Sequence, residues 1–429
     1  MSYGYYAIIR VTDMGPYVTK IVLPVGSEMK SKRSDLAKSF SVFAQRMDDL
    51  GETLVLPKSW MAKDDKEPSH GYIPVRKAYP SNRKGEEDKK GAFVTLEMAY
   101  GPQYSLSAAI TSINGMNAYI RMRYTITQVK ELETAGGKLT GRVFDYPLEI
   151  SCPDTYGWIN SRSSGEKELA LGYGYYIPQV RNAGKRPLII WLHGAGEGGS
   201  DPTVSYTGNK AVAFSSEKIQ AYFGGAYVLA PQTPTFWMDD GSGQYHDEGK
   251  TIYGKALKAC IDEFIEKNPG IDKKRIYIGG DSNGGFMTMR MVVDYPKFFA
   301  AAFPVCEALF DKTISDKNIA AIKHMPIWFV HAKNDPVVDP NKTAVPTYER
   351  LLKAGAENVH MTYWDKIEDI RGAFELVNGK PFEYLGHFAW VHVYNDDCQV
   401  DFDGKPVTVC VDGAAREVGL LEWLSFQSK

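Results

Sequence analysis

Cysteine is scarce in this chain. Its 429 residues include five cysteines (Cys152, Cys260, Cys306, Cys398 and Cys410), odd in number and widely spaced, which argues against a disulfide framework. An excess of charge of either sign is missing too: 50 lysines and arginines stand against 52 aspartates and glutamates, a formal net charge of -2. Without a basic surplus, neither nucleic acid nor a membrane surface is an expected partner. No apolar run approaches the roughly 18 residues that would suggest a membrane span. The opening Met1-Ser2-Tyr3-Gly4-Tyr5-Tyr6 lacks the basic and apolar stretches of a signal peptide. The expectation is a cytoplasmic protein, or a secreted one if a leader has been removed. With 40 Gly and 23 Pro there is no collagen-like or low-complexity bias, and 44% hydrophobic residues exclude a disordered chain. Such a chain is long enough for two or three domains with a sizeable core.

What is present divides in two. Residues 1–150 carry period-two patterning and turn spacing, with expected strands at Tyr6–Thr12, Val18–Val25, Ser39–Phe43, Ala92–Met98, Tyr119–Val129 and Leu139–Tyr146. Short strands with little helical pattern predict a β-sandwich of the immunoglobulin-like kind. The charged run Arg83-Lys84-Gly85-Glu86-Glu87-Asp88-Lys89-Lys90 reads as a solvated hairpin or loop, and residues 151–165 as a linker. From residue 166 to 429 the rhythm changes. Arg186–His193 is a continuous apolar run ending in glycines, as a parallel strand covered on both faces should be. Ala226–Ala230, Arg275–Ile278, Ala300–Val305, Ile327–Val330 and His360–Trp364 repeat that form. Between them Tyr253, Ala256, Leu257, Cys260, Ile261 and Phe264 recur at helical spacing. Alternating strands and helices predict a mostly parallel, doubly wound α/β sheet.

One stretch carries the chemistry. Arg275–Ile278 runs into Gly279-Gly280-Asp281-Ser282-Asn283-Gly284-Gly285 and then into the apolar Phe286–Val293, so a buried strand, Gly-x-Ser-x-Gly and a buried helix follow one another. At such a corner the serine takes a strained backbone that points its hydroxyl out of the sheet, while Gly280 and Gly284 let strand and helix pass closely. A serine hydroxyl is a poor nucleophile near neutral pH and needs a base, which an acid must orient. Two acids compete: Asp335, in Asn334-Asp335-Pro336-Val337-Val338 after the strand Ile327–Val330, and Glu307 after the preceding strand. Asp335 keeps the order serine, acid, histidine, which leaves Glu307 as a wall residue or substrate contact. Of the histidines beyond Asp335, His387 lies in a Gly-flanked loop and is the expected base, His392 the fallback and His360 a structural strand residue. His193-Gly194-Ala195-Gly196 follows the first long strand, and the backbone N–H groups of Ala195 and Asn283 are the expected oxyanion donors. Trp237 and Trp390 are candidate substrate contacts beside these loops. No His/Cys/carboxylate set has zinc spacing, and the acidic Asp396–Asp403 stretch does not fit a calcium loop. Asp403-Gly404 reads as a hairpin turn between Gln399–Phe402 and Val407–Val411, which would let Cys398 and Cys410 face each other.

With these motifs placed, the chain resembles α/β-hydrolase serine esterases related to polyhydroxybutyrate depolymerases and feruloyl esterases, in particular those with an N-terminal immunoglobulin-like domain. The resemblance spans about residues 186–390, and Tyr6–Gly26 with Gly91–Tyr100 resembles the front domain of those esterases. It implies a carboxylesterase that needs no metal or organic cofactor and acts on short acyl or aryl esters. Feruloyl, acetyl-xylan and polyester esters are alternatives within the same mechanism, and so are small-molecule or polysaccharide-linked substrates. It also implies homo-oligomer contacts, or shaping of the site mouth, by the front domain. Three readings compete: a prolyl-oligopeptidase-like serine peptidase, a non-catalytic binding module on this scaffold, and glycan binding by residues 1–150.

Overall fold

The computed structural model describes residues 2–48, 50–57, 64–165, 169–180 and 184–429. It divides into two compact units, Met1–Tyr156 and Gly157–Lys429. In the first, eight strands build the main sheet: β1 (Ser2–Thr12), β2 (Gly15–Pro24), β3 (Phe40–Met47), β4 (His70–Tyr72), β5 (Val75–Ser81), β6 (Phe93–Met98), β7 (Arg121–Gln128) and β8 (Val143–Ser151). Their order is β4-β3-β7-β8-β1-β2-β6-β5. All neighbours run antiparallel except β1 and β8. β3 alternates buried and half-buried residues, the pattern of a strand with one face on a core. β3 and β5 pack together although they lie far apart in the sheet order, so the strands wrap one core that includes Tyr5, Ile21, Val42, Leu96, Tyr124 and Phe144.

A pair of separate sheets was the expectation, and here hydrogen bonds join the strands into one. The joint is narrow: β7 and β8 pair at Ile126↔Phe144 and Thr127↔Val143, with one further bond from the Gln128 N–H to the Arg142 carbonyl at 2.9 Å. Where they part, the Tyr124 N–H donates instead to the Tyr5 hydroxyl at 3.1 Å. The charged run 83–90 does form the connection of an antiparallel pair, β5 with β6. The expected linker is shorter than the composition suggested, because Trp158–Arg162 (β9) is an edge strand of the second unit.

The second unit continues with β10 (Gly172–Tyr176), β11 (Arg186–Leu192), β12 (Tyr227–Gln232), β13 (Ile271–Asp281), β14 (Ala301–Val305), β15 (Ile327–Ala332) and β16 (Val359–Trp364). The order is β9-β10-β12-β11-β13-β14-β15-β16, parallel from β12 onward and antiparallel at β9 and β10. β14 and β15 are buried along their whole length, which is why their sequences read as unbroken apolar runs. The helix Gly254–Lys267 buries Ala256, Leu257, Cys260, Ile261 and Phe264, the face its spacing predicted. Strand order reverses around β11, and chain connections that leave such a point in opposite directions open a crevice beyond the carboxyl ends of the strands.

The tail departs from expectation. Val407–Val411 pairs with Ala414–Val418, not with Gln399–Phe402, and the two-residue turn is Asp412-Gly413. Both turn residues have positive φ, 51° and 82°, the combination a tight hairpin with right-handed strand twist requires. Cys410 therefore stands opposite Ala415, and both Cys398 and Cys410 are free thiols.

Candidate active site

β13 ends at Asp281, and the chain turns at once into the helix Asn283–Asp294. Ser282 occupies the corner with φ 55° and ψ -111°, a conformation that side-chain-bearing residues rarely adopt. Its N–H donates to the Val305 carbonyl on β14 at 2.9 Å, which fixes the bend. The flanking glycines are sterically required. A Cβ on Gly280 would lie 2.5 Å from the Leu192 carbonyl oxygen, and one on Gly284 only 1.9 Å from that same oxygen. Helix and β11 touch backbone to backbone at this point.

Ser282 Oγ lies 2.8 Å from His387 Nε2, and His387 Nδ1 lies 2.8 Å from Asp335 Oδ2. Three side chains from three loops, 105 residues apart at the widest hydrogen bond, thus form one chain of hydrogen bonds. The histidine loop is seated on the acid loop through Gly386, where a Cβ would meet Asn334 Oδ1 at 2.3 Å and its carbonyl oxygen at 2.6 Å. Asp335 Oδ1 accepts from the Val337 and Val338 N–H groups at 2.8 and 3.0 Å, as the turn Asp335-Pro336-Val337-Val338 dictates. Burial alone would raise the Asp335 carboxyl. Hydrogen bonds from His331 and His387, and their charge, outweigh burial and hold it well below the usual carboxylate range.

His331 was not singled out from the sequence. It is the penultimate residue of β15, fully buried, with Nε2 at 3.0 Å from Asp335 Oδ2 and 3.2 Å from the Val338 carbonyl oxygen. A carbonyl only accepts, so Nε2 carries the proton and donates to Asp335 as well. The one sequence signal was a polar residue at the end of an apolar strand.

His193 holds the loop that bears Ala195. Its Nε2 accepts from the Thr233 N–H at 3.1 Å, so the proton sits on Nδ1, 2.6 Å from the Gly194 carbonyl oxygen. Burial lowers this imidazole to about 4, against a smaller opposite effect of the Gly194 hydrogen bond. The neutral imidazole thus splints two loops. Ala195 opens a single 3-10 turn, Ala195–Glu197, and is partly exposed, as Ser282 is. Asn283 begins the helix after the corner, and its side-chain Oδ1 accepts from the Met238 N–H at 3.1 Å. That bond, like the one from Thr233, ties the loop following β12 to the site.

Two expected substrate contacts are not at the surface. Trp237 is completely buried, its ring 5.2 Å from His193 and 6.2 Å from Tyr253, so it supports the loop from beneath. Glu307 is also completely buried; its Oε2 accepts from the Leu309 N–H at 2.7 Å, and burial pushes its carboxyl well up. Aromatic and acidic residues beside motif loops read alike as pocket wall or as packing, and here packing wins. Trp390 lies edge-on to His387 at 5.4 Å and against Phe388 at 4.7 Å. His360 is bound to Asp401, and His392 is buried under Trp364, so neither reaches Ser282. Among the described residues no group of three or more His, Cys, Asp or Glu side chains is placed to hold a metal ion.

Residues 4–141 match the esterase Ig-like N-terminal domain family, and residues 179–369 match the phospholipase/carboxylesterase family. The chain is similar to poly(3-hydroxyoctanoate) depolymerase of Pseudomonas fluorescens, 28% identical over 237 residues, 50% of this chain and 79% of that protein. It is 26% identical over 161 residues to poly(3-hydroxyalkanoate) depolymerase C of Paucimonas lemoignei, 37% of this chain and 36% of that one. It is 30% identical over 130 residues to feruloyl esterase B of Neurospora crassa, 29% of this chain and 40% of that one. Of the last two the chain therefore spans well under half the length. A crystal structure of a thermostable esterase shares the fold, with a TM-score of 0.74 at 22% identity over 99% of this chain and 100% of that one.

Proposed function

We propose that this chain, whose residues 4–141 match the esterase Ig-like N-terminal domain and 179–369 the phospholipase/carboxylesterase family, is a serine carboxylesterase for short acyl or aryl esters. The observation that carries the mechanism is the continuous pair of 2.8 Å hydrogen bonds from Ser282 through His387 to Asp335. Ser282 Oγ attacks the ester carbonyl carbon as its proton passes to His387 Nε2. Asp335 holds Nδ1–H and stabilises the imidazolium. The carbonyl oxygen becomes an oxyanion, held by the N–H groups of Ala195 and Asn283, the latter at the positive end of a twelve-residue helix. Collapse breaks the bond to the alkoxy group, which leaves with the proton from Nε2. Water then attacks the acyl-enzyme by the same route and frees the acid.

The aryl preference rests on the loop that His193 and Asn283 anchor. There Tyr245, 65% exposed, stacks on the buried Phe236 ring at 4.5 Å and 21°, a flat aromatic surface on the loop that adjoins the oxyanion donors. The names of three relatives, two depolymerases and a feruloyl esterase, support an ester as the substrate.

Ser282→Ala is expected to lower turnover of p-nitrophenyl acetate by about 10⁴-fold or more while far-UV circular dichroism stays unchanged. Retained turnover in the pure variant overturns the assignment. A panel of p-nitrophenyl acyl esters, methyl ferulate and a prolyl-aminocoumarin peptide orders the substrates, and cleavage of the peptide alone would favour the peptidase reading.

A further inference from the structure

Beneath the site lies an acid pair that the mechanism does not use. Asp281, the residue before the nucleophile, is completely buried, and Glu197, which ends the 3-10 turn that begins at Ala195, is 3% exposed. Asp281 Oδ2 and Glu197 Oε2 both accept from one nitrogen, Asn209 Nδ2, each at 3.0 Å. The same two oxygens crowd Gly194: a Cβ there would come within 2.7 Å of Asp281 Oδ2 and 3.0 Å of Glu197 Oε2. Gly208 closes the other side, since a Cβ on it would meet Glu197 Cγ at 2.7 Å. One carboxyl is thus covalently next to Ser282, the other rides on the oxyanion loop, and a single amide clasps both.

Two carboxylates that meet one amide nitrogen in a dry interior repel each other when both are ionised, and a proton kept by the pair relieves that repulsion. We propose that Asp281 and Glu197 share a proton and serve as positioning residues, clamping the Ala195 loop to the Ser282 corner so that both oxyanion donors keep their aim. Burial, followed by the charge of Glu197, raises the Asp281 carboxyl well above its ordinary range. The titratable groups that face the pair are Tyr394 and Cys306, both pushed well up by burial, and, from the surface side, Tyr245, which feels the charge of Glu197. From β11 the neutral Trp191 faces Asp281 and favours its ionised form, an effect smaller than burial. All of these are neutral when the pair holds its proton. Loss of that proton at alkaline pH sets two like charges against each other beneath Gly194 and drives the loop off the corner. Because the donors act on the transition state, the consequence falls on kcat and leaves KM nearly unchanged.

This inference rests on the Ser282–His387–Asp335 reading, and the test separates the two. Wild type, Glu197→Gln and Asp281→Asn are assayed on p-nitrophenyl acetate up to about pH 10, with active-site labelling by a fluorophosphonate and circular dichroism at each pH. Wild type is expected to show a fall of kcat on the alkaline side at constant KM. Each amide variant leaves one carboxyl with no like-charged neighbour, so the second ionisation disappears. Their kcat at neutral pH drops by about threefold to tenfold, and the alkaline fall is lost over the range to about pH 10. Glu197→Ala, which cannot bridge to Asn209, loses more of kcat than Glu197→Gln does. An alkaline fall that neither amide moves, or a wild-type kcat that stays flat to the end of the range, overturns the acid pair while leaving the triad standing. A wild type that neither turns over esters nor takes the label sinks the triad reading, and the acid pair with it.

Discussion

The two units of this chain are both built around β-sheets, yet they state their structure in sequence very differently. In the second unit β14 and β15 are buried along their whole length and β11 nearly so, and three of the parallel strands end in loops that carry site residues: His193 and Ala195 after β11, Ser282 after β13, Asp335 after β15. A run of apolar residues and the polar residue that stops it are read together. In the first unit single strands are legible from alternation, but their partners are not, because alternation says which face is buried and nothing about which edge is paired. The parallel β1–β8 contact and the two-pair joint between β7 and β8 have no sequence signature. The units differ accordingly in how they should fail.

The largest difference is expected at glycines. Gly284→Ala drives a methyl group to 1.9 Å from the Leu192 carbonyl oxygen, where only backbone could yield. Loss of at least about 3 kcal/mol and of ester turnover is expected. Gly26→Ala in the first unit meets no atom within 4 Å, and its positive φ of 87° is the whole cost, about 1 kcal/mol. Thermal unfolding of both variants, with turnover measured beside it, checks the pair. Equal losses would show that the close strand–helix approach at Ser282 is not what fixes the corner.

Much of the site was legible for the same reason. Gly-x-Ser-x-Gly between an apolar strand and an apolar helix, Asn334-Asp335-Pro336 after a strand, and Gly386-His387 after the last one each named a residue, and the structure brings these three side chains together. What failed did so where one residue type serves two purposes. Trp237 and Glu307 lie on site loops and point inward, and no pattern distinguishes the inside of a loop from its mouth. The tail hairpin failed because two Asp-Gly pairs lie nine positions apart, Asp403-Gly404 and Asp412-Gly413, and both are good turns by composition. Only pairing chose the second.

His331 sharpens the comparison within the second unit, since it acts through Asp335 and not on substrate. His331→Phe removes the Nε2–H that Asp335 Oδ2 accepts at 3.0 Å, keeps the volume of a fully buried ring, and leaves His387 in place. A fall in kcat of about tenfold at little change in KM is expected. Stability carries a second signature. The Asp335 carboxyl is held below its unfolded value, so its contribution is complete above about pH 4 and is lost as pH falls toward the folded value. Wild type should therefore exceed the variant most at neutral pH, and the gap in urea unfolding should close as the pH is lowered below about 4. A gap independent of pH would mean that the ring contributes only packing.

The counterpart in the first unit is expected to touch turnover least. Tyr5 is fully buried, its ring 6.1 Å from Tyr124 at 88°, and its hydroxyl accepts the Tyr124 N–H where β7 has lost β8 as a partner. Tyr5→Phe keeps the ring packing and strands that amide in the core. An unpaired buried donor costs about 1–3 kcal/mol, more than the net worth of the bond it replaces. Because every group in the hydrogen-bonded chain at Ser282 belongs to Gly157–Lys429, kcat on p-nitrophenyl acetate should not move at temperatures where the variant is folded. Unfolding followed at two wavelengths, with turnover at 25 °C beside it, measures both quantities. A destabilised variant with unchanged kcat keeps chemistry and the front sheet as separable properties of one chain. A drop in kcat in the folded variant would instead make the first unit a working part of the second unit's site.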